Sequence, residues 1–574
     1  MNQPEWGAFF QDTWKVTQNF TVNFGTRWDL LPPAYAKNGI YTYPKHGSAS
    51  VLGVSGPIGI YETALAPGKG KDIIDWDWNN FGPNLGFTWD PFRDGKMSVS
   101  ANFRIAYDRQ MQSVYSRLED QNMGMNISLT GVPKIRFSDP TLYTVWGNSK
   151  GILLPVGKPF EPIPYVRQGR AYALAESIRT PYTESWSLRI QREMFRDWYV
   201  QIAYVGNTSV GGWRAMNYNQ IEMRKNGFLQ GFQAAQRNLA ANGNPLTGES
   251  TGTFGQIFSL LSSSARSGQY TNITNGVAAT VANYLDTYAP TGGQRGDLVK
   301  QAGLPITFFR INPQVENATT CDNMSVSTYH SMKLEVGKRF SGGTYLQFNY
   351  TLGKGLTDYT GGQGQYNDFR DNENRRLDKS LQQYDSTHIV QATGIWELPF
   401  GSGKRWMNAG SGWMDYLFGG WQINGMYGLA TGRPYTISSN RNMLTVGDTS
   451  TANYAGKDFN ITSKVIKGGD GIIRSLTAEE VALFTYPVAG SPGGTPQYAF
   501  RSPIFTNIDA SMFKNFRTPF LGEQGQVQFR AEAFNVLNHP NFNNASGTLT
   551  SGSFGQISSN RSARILQFAL KVNF

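Results

Sequence analysis

Residues Arg564-Ile-Leu-Gln-Phe-Ala-Leu-Lys-Val-Asn-Phe574 decide the fold of this 574-residue chain. In an extended strand successive side chains point to opposite faces, so alternate residues share a face. One face of this stretch is wholly apolar, and the other carries polar side chains around one small alanine. The apolar set is Leu566, Phe568, Leu570, Val572 and Phe574. This alternation favours a strand with lipid on one side and water or polar protein on the other. An ordinary last strand of a soluble sandwich is the alternative.

The composition excludes an α-helical membrane protein and leaves a β-barrel open. Hydrophobic residues make up 39% of the chain, and no run approaches the roughly 18 apolar residues that a membrane-spanning helix needs. Barrel strands need an apolar residue only at alternate positions. The 13% of aromatic residues and the 64 glycines suit interfacial girdles and long polar loops.

Residue types that carry chemistry do not form useful patterns. The single cysteine, Cys321, has neither a disulfide partner nor a second thiol for zinc, and the four histidines form no HExxH or HxH pair. We therefore expect no metal site, no cofactor and no catalytic residues. The net charge of +11 is dispersed, so nucleic-acid binding is not expected. A cationic lumen or loop surface that attracts anions is the milder inference.

The same two-residue period recurs along the chain and predicts about 13 strands. The clearest instance is residues 96–108, where apolar Met97, Val99 and Phe103 alternate with serine, asparagine and arginine. Most of the strands have the ten or so residues that cross a bilayer at a tilt. They are roughly 6–16, 20–30, 82–90, 96–108, 180–194, 198–207, 327–340, 344–356, 384–398, 419–435, 507–516, 527–538 and 564–574.

The links between these strands alternate in length. Links of about 3 to 20 residues take turns with links of about 25 to 119 residues. An up-and-down sheet places alternate links on opposite sides, so tight turns lie on one side and large loops on the other. This predicts an all-β, antiparallel, up-and-down transmembrane barrel with short periplasmic turns and long extracellular loops. The barrel covers residues 1–574, and the long loops lie near 31–81, 109–179, 208–326 and 436–506.

An odd number of strands is unusual for a bacterial single-chain barrel, and an open edge in lipid leaves backbone groups unsatisfied. The first residues, Met1 to Trp6, also lack the features of a signal peptide. We therefore expect the chain to be the later portion of a larger barrel.

Four patterns within the loops carry more specific expectations. Thr477-Ala-Glu-Glu480 is a capping box, and residues 226–240 also read as a helix; both are interpreted as short loop elements. Asp75-Trp-Asp-Trp-Asn79 is either a calcium-stabilised loop or an aromatic girdle. The charged run 368–379 either contacts a ligand or forms a solvated loop that its own ion pairs hold together. Arg104, Arg189, Arg530 and Glu532 are expected to face the lumen, where they satisfy one another or line the path.

Several stretches together resemble a known family. Glu5-Trp-Gly-Ala-Phe-Phe-Gln-Asp-Thr-Trp-Lys-Val16, followed by Thr21-Val-Asn-Phe-Gly-Thr-Arg27, is similar to a strand pair of TonB-dependent outer-membrane receptors. The Oar-like subgroup is the nearest. Further matches are Phe81-Gly-Pro-Asn-Leu-Gly-Phe87, residues 180–193, Tyr329-His-Ser-Met-Lys-Leu-Glu-Val-Gly-Lys-Arg-Phe340 and residues 530–542. The resemblance runs from Trp6 to Phe574.

The resemblance implies a Gram-negative outer-membrane barrel for substrate uptake. Such receptors have a 22-stranded barrel around a plug, and this chain matches about 13 of the later strands with no plug domain. The implied partners are outer-membrane lipid, the barrel-assembly machinery, an unidentified substrate and, through the missing N-terminal part, the TonB system. The closing strand would carry the insertion signal. A surface barrel for adhesion and a passive pore remain alternatives.

Overall fold

Thirteen long strands follow one another along the chain and form a single antiparallel sheet in the described residues. The computed structural model describes residues 3–34, 42–43, 66–67, 74–109, 115, 170–175, 177–312, 315–359, 368–407, 412–447, 449–456, 464–518, 522, 525–561 and 563–573. The strands are β1 (Trp6–Thr17), β2 (Phe20–Leu30), β3 (Phe81–Trp89), β4 (Met97–Tyr107), β5 (Tyr182–Phe195), β6 (Trp198–Asn217), β7 (Asn317–Ser341), β8 (Thr344–Thr357), β9 (His388–Glu397), β10 (Trp421–Ala430), β11 (Phe505–Arg517), β12 (Gln526–Phe534) and β13 (Ile565–Asn573).

Each strand that the two-residue period predicts is present, and each pairs with its neighbours in sequence. The two strands beside the longest loop extend much further than predicted: β6 has 20 residues and β7 has 25. Their outer parts pair with each other through a bulge near Asn323, and a short parallel strand, Arg170–Leu174, pairs with β7 there. The loop expected at 208–326 therefore begins after Asn217 and ends before Asn317.

One side of the sheet carries tight turns. Ser341 pairs with Thr344 across the turn between β7 and β8, and both central residues, Gly342 and Gly343, have positive φ values of 60° and 74°. A two-residue hairpin of this type matches the strand twist only when both central residues take positive φ, which glycine does without strain. We call this end of the sheet the turn side and the opposite end the loop side.

The longest loop folds into a helical unit, residues 218–316. Its helices are α1 (Phe228–Asn242), α2 (Gly252–Phe258), α3 (Ser263–Ser267), α4 (Tyr270–Thr274), α5 (Ala278–Thr287) and α6 (Asp297–Gln301). Phe228 is fully buried, with its ring centroid 5.5 Å from that of Phe254 and 5.0 Å from that of Phe309. The unit thus has its own hydrophobic core, to which Leu444 and Ala489 of a second loop contribute. The helix predicted at 226–240 is confirmed, but it belongs to a packed unit and is not an isolated loop element.

The loop between β10 and β11 is also ordered around a core of its own, which includes Ile437, Phe484 and Phe500. Its helix α8 (Ala478–Ala482) follows α7 (Gly412–Phe418), which lies between β9 and β10. The predicted capping box is present: Thr477 Oγ1 accepts from the backbone N–H of Glu480, and the Glu480 carboxylate accepts from that of Thr477. Lys464 and the Thr477 N–H hold the pKa of the Glu480 carboxyl below its usual range.

Shorter elements complete the described structure. Four pairs of two-residue strands join Thr42–Tyr43 to Ala66–Pro67, Pro434–Tyr435 to Phe500–Arg501, Asn453–Tyr454 to Phe484–Thr485 and Ile466–Lys467 to Ile473–Arg474. Ser380–Leu381 pairs with β8, and a 3₁₀ helix spans Arg375–Asp378. The loops predicted near 31–81 and 109–179 lie largely outside the described residues.

Strands β1 and β13 each pair with a single neighbour, so the sheet is open along these two edges in the described residues. Every residue of β1 is exposed. Unpaired backbone groups of an edge strand are costly in lipid. A cylinder in a membrane therefore requires that both edges find partners.

Candidate functional site

The sheet has one continuous apolar face. In β13, Leu566, Phe568, Leu570 and Val572 lie on this face, directly opposite apolar or small residues of β12. Leu570 is 71% exposed and Phe568 is 70% exposed. A large exposed apolar surface of this kind fits contact with lipid. Phe574, the last of the predicted insertion residues, lies outside the described residues.

The opposite face is polar and carries all four residues that the sequence assigns to the lumen. Directly paired residues in antiparallel strands share a face, and tracing the partners from β4 to β12 places Arg104, Arg189, Arg530 and Glu532 together on it. Arg104 and Arg189 lie on adjacent strands, whereas Arg530 and Glu532 lie on β12. That this face lines a lumen stays a prediction.

These four side chains do not pair with one another in the described structure. Arg189 Nε donates to Ser100 Oγ at 3.1 Å, and Arg530 Nε donates to Gln528 Oε1 at 2.5 Å. The expectation that they satisfy each other is therefore wrong for the described residues. In the described structure, neutral neighbours on the same face accept the hydrogen bonds of Arg189 and Arg530.

Helix α7 extends the apolar surface at the turn side. Trp413 is 64% exposed and Phe418 is 53% exposed. Lys514, on the apolar face of β11, is buried beneath this helix, where its ammonium donates to the backbone carbonyls of Asp415 and Tyr416. The one basic side chain of β11 on that face is thus covered and does not interrupt the apolar surface.

Buried ion pairs hold the loop side together. Arg214 contacts Asp378 at 3.1 Å, Arg501 contacts Asp385 at 2.6 Å, and Arg310 pairs with Asp286. All six side chains are at most 9% exposed. Desolvation makes such a pair a poor source of net stability, but removing one partner is strongly destabilising. These pairs therefore fix the arrangement of the loops more than they add to overall stability.

The charged run 368–379 is at the centre of this arrangement. Phe369 lies beneath the guanidinium of Arg214 at 3.8 Å, and Asp371 accepts from Arg224 of the helical unit at 2.7 and 2.9 Å. Arg370 donates to the carbonyl of Pro492. The expectation of a solvated loop held by its own ion pairs is wrong, since these contacts join three different loops.

Asp371 shows how the run is electrostatically tuned. Burial alone would raise the pKa of its carboxyl, but Arg224 and the backbone N–H groups of Glu373 and Asn374 outweigh burial and hold the pKa below 3.8. The carboxylate is therefore charged at neutral pH and is matched by a cation and by dipoles that point at it.

Several cavities open among the described loops, and two of them border the charged run or the strand ends. One, of about 270 Å³, lies between the helical unit and the charged run, where Asn219, Arg310 and Asp368 line it. The other, of about 860 Å³, lies above the loop-side ends of β9, β10 and β11. The second is within the range of about 300–1,000 Å³ that small-molecule sites usually have.

In the aspartate-rich stretch 75–79, the Asp77 carboxylate joins this stretch to the residues just before β5. Asp77 is 3% exposed, and it accepts from the backbone N–H of Thr180 at 2.8 Å while Arg179 lies at 3.8 Å. Trp76 and Trp78 stack with ring centroids 5.1 Å apart. Within the described residues, no three His, Cys, Asp or Glu side chains are grouped so that they would hold a metal ion.

The cavity residues were not identified from the sequence. Several of them fall within the predicted strands 384–398 and 419–435 or at the end of the matched stretch 530–542, but the two-residue period does not show that these segments meet around a cavity. One signal was present: the basic net charge predicted an anion-attracting loop surface, without indicating where it lies.

A family model described as "Outer membrane beta barrel domain" matches residues 1–567. No curated protein matches the chain. None of the helices in the described ranges is both long and apolar enough to span a membrane.

Solved structures with a similar chain path include three outer-membrane proteins. They are the transporter YddB from Escherichia coli (9% identity, TM-score 0.42, covering 99% of this chain and 45% of that one), the ferripyoverdine receptor of Pseudomonas aeruginosa (8%, 0.39, 99% and 38%) and the FrpB iron transporter of Neisseria meningitidis (8%, 0.39, 99% and 45%). The chain spans less than half the length of each of these proteins.

Proposed function

The chain belongs to the outer membrane β-barrel domain family, and we propose that it is the barrel portion of a TonB-dependent uptake receptor of the Oar-like type. The family places the protein in the outer membrane of a Gram-negative bacterium. In this proposal the loop side lies outside the cell and the turn side in the periplasm. Uptake would draw energy from the inner membrane through the TonB system and a plug. We assign all 574 residues to the barrel and none to a plug.

The placement of the family-like motifs supports this proposal. Glu5–Val16 and Thr21–Arg27 form the paired strands β1 and β2, and residues 329–340 lie in β7, which pairs with strands on both sides. The motifs therefore lie in strands of one sheet, in their order along the chain.

The outer loops are built as a receptor requires. In their described parts, buried ion pairs and shared cores fix the surface before any ligand arrives, and a fixed site loses less entropy on binding. In a passive pore the loops need only leave a path open. The rigid loop side is the single observation that favours capture of a substrate over unselective permeation.

A second candidate function is adhesion, and one observation favours it. The helical unit 218–316 has a hydrophobic core separate from the sheet, as expected of a displayed module. Deleting the unit would abolish adhesion but would leave strands β1 to β13 able to pair.

Energy-dependent uptake tests the main proposal. Cells that produce the full-length protein and matched deletion cells are given a panel of fluorescent oligosaccharides, siderophores and peptides, with or without a protonophore. We expect at least one probe to accumulate only when the protein is present and the proton gradient is intact. Protein-dependent entry that persists with the protonophore would establish a passive pore, and loss of surface attachment without any uptake defect would establish adhesion.

A further inference from the structure

The larger cavity is built directly on the polar face of the sheet. Ile389, Ala430 and Phe505 form one row of directly paired residues at the loop-side ends of β9, β10 and β11, and all three line the cavity. The row lies on the same face as Arg530 and Glu532. A molecule bound here would therefore sit at the outer end of the surface that faces the predicted lumen.

Two guanidinium groups in the cavity have no acidic partner in the described part of the chain. Arg433 lies over the ring of Tyr384 at 5.3 Å, and Arg561 lies over the ring of Phe505 at 4.5 Å. The lining contains no Asp, Glu or Lys. By contrast, Arg214, Arg310 and Arg501 elsewhere on the loop side all pair with aspartates. This cavity thus presents uncompensated positive charge, which favours an anion.

Both arginines project from fixed backbone. The carbonyl of Arg433 accepts from the N–H and the hydroxyl of Ser502, each at 3.0 Å. The N–H of Arg561 donates to the carbonyl of Asn541 at 2.7 Å. The main chain that carries each guanidinium is therefore positioned before a ligand binds, although the side chains themselves are exposed.

The Arg501–Asp385 pair stiffens the cavity from below. Asp385 also accepts from the N–H of Gly355 at 2.7 Å, and Arg501 also donates to the carbonyl of Gly432 at 3.1 Å. The loop-side ends of β8, β9, β10 and β11 are thereby joined. This network holds the backbone next to Arg433 in place before a ligand binds, which lowers the entropic cost of binding there.

The remaining lining groups suit hydroxyl-rich ligands. Asn543 and Asn544 are exposed amides, which both donate and accept hydrogen bonds. Tyr384 is 68% exposed and offers an aromatic ring against which the C–H face of a sugar can stack. Guanidinium groups bind a carboxylate through two parallel hydrogen bonds. The cavity therefore combines charge, amide and ring contacts in one place.

We infer that this cavity binds an acidic saccharide, a sugar chain that carries carboxylate groups. Arg433 and Arg561 would bind the carboxylates, the asparagine amides would bind hydroxyl groups, and Tyr384 would stack on a sugar ring. The inference rests on the proposed function only in taking the bound saccharide to be the cargo.

Equilibrium binding tests the inference without any need for energy coupling. Outer-membrane vesicles from cells that produce the full-length protein are titrated into fluorescent trigalacturonate, and anisotropy is read against vesicles from deletion cells. Arg433→Gln and Arg561→Gln should each weaken binding about tenfold, and the double variant about a hundredfold, since each removes one charge-assisted contact. Added salt should weaken binding by the unaltered protein.

A matched control is available on the opposite side of the membrane. Arg405 lies over the ring of Trp406 at 5.9 Å on the turn side, so Arg405→Gln removes a similar arginine–aromatic contact and should leave binding unchanged. Arg433→Lys and Arg561→Lys keep the charge but lose the paired geometry, and they should bind with intermediate affinity. Surface trypsin digestion shows whether each variant reaches the membrane. If a glutamine variant does not, the lysine variants provide the test instead.

Three results would overturn the inference. The first is unaltered trigalacturonate binding by the double variant; the second is equally tight binding of neutral maltotriose. The third is displacement of trigalacturonate by an equal concentration of inorganic phosphate, which would mean a simple anion site. If binding depends on both arginines but uptake is unaffected by the protonophore, the binding site is supported and active transport is refuted.

Discussion

Removing the charge of Asp385 should loosen the loop side of the sheet far more than such a small change in one side chain suggests. Asp385 is 2% exposed as a side chain and Arg501 is 9% exposed, so Asp385→Asn leaves a guanidinium buried without its counter-ion. The asparagine oxygen can still accept from Gly355, which isolates the effect of the charge. Breaking a buried pair costs about 3–5 kcal/mol, equivalent to about a 150-fold to 5,000-fold rise in the local opening equilibrium.

Hydrogen–deuterium exchange of the protein in outer-membrane vesicles measures this opening. Peptides that cover residues 431–434 and 500–503 should exchange faster by that factor, and peptides from β1 and β2 should not change. The double variant Asp385→Asn/Arg501→Met removes both charges and should regain most of the protection, because an apolar replacement of a buried pair is often neutral. The exposed pair Arg237–Glu249 is the matched control, and Glu249→Gln should have no measurable effect. An increase below tenfold for Asp385→Asn, or a double variant as open as the single one, would refute the reasoning.

Three further predictions test other parts of the molecule. Phe228→Ala empties a fully buried position and should destabilise the helical unit by about 3–5 kcal/mol, seen as rapid trypsin cleavage within 218–316 while the strands stay protected. Acidification should release Arg224 from Asp371. Because the pKa of Asp371 is lowered in the folded protein, the stabilisation from this pair is complete well above pH 3.8 and is lost as the pH falls below that value. Hydrogen exchange near residue 371 should therefore rise below pH 3.8 and stay unchanged at pH 6. Leu570→Arg puts a charge on the apolar face and should cost about 2–4 kcal/mol of membrane stability near the midplane, measured by urea unfolding in vesicles, whereas Lys571→Arg on the polar face should cost nothing.

The strands could be predicted from the sequence because lipid imposes a strict period on them. A residue such as Leu570 contacts hydrocarbon and Lys571 does not, so each strand shows the apolar–polar alternation in its own sequence. The prediction failed at the outer parts of β6 and β7, where Thr208-Ser-Val-Gly-Gly-Trp213 shows no alternation. Those parts pair with each other beyond the predicted strand ends, where both faces are covered by protein or polar loops and the two-residue period carries no information.

The helical unit was underestimated for a related reason. The pattern of residues 226–240 predicts a helix, but the sequence does not show that Phe228 meets Phe254 and Phe309, which are distant along the chain. Contacts with Leu444 and Ala489 come from a different loop altogether. Local periodicity predicts an element, whereas a core depends on which elements meet.

The charged run 368–379 shows where sequence reasoning about charge reaches its limit. Neighbouring opposite charges such as Arg370 and Asp371 predict local ion pairs, yet the structure sends Asp371 to Arg224 and Asp378 to Arg214. Burying these pairs costs desolvation free energy and adds little net stability, but each pair permits only one arrangement of the loops. Once such pairs fix the framework, an arginine without an acidic partner among the described residues, as Arg433 and Arg561 are, stands out as a group available to bind a ligand. Whether a loop arginine has an acidic partner, more than how many charges the loop carries, therefore distinguishes the residues that hold the loops in place from those available to bind a ligand.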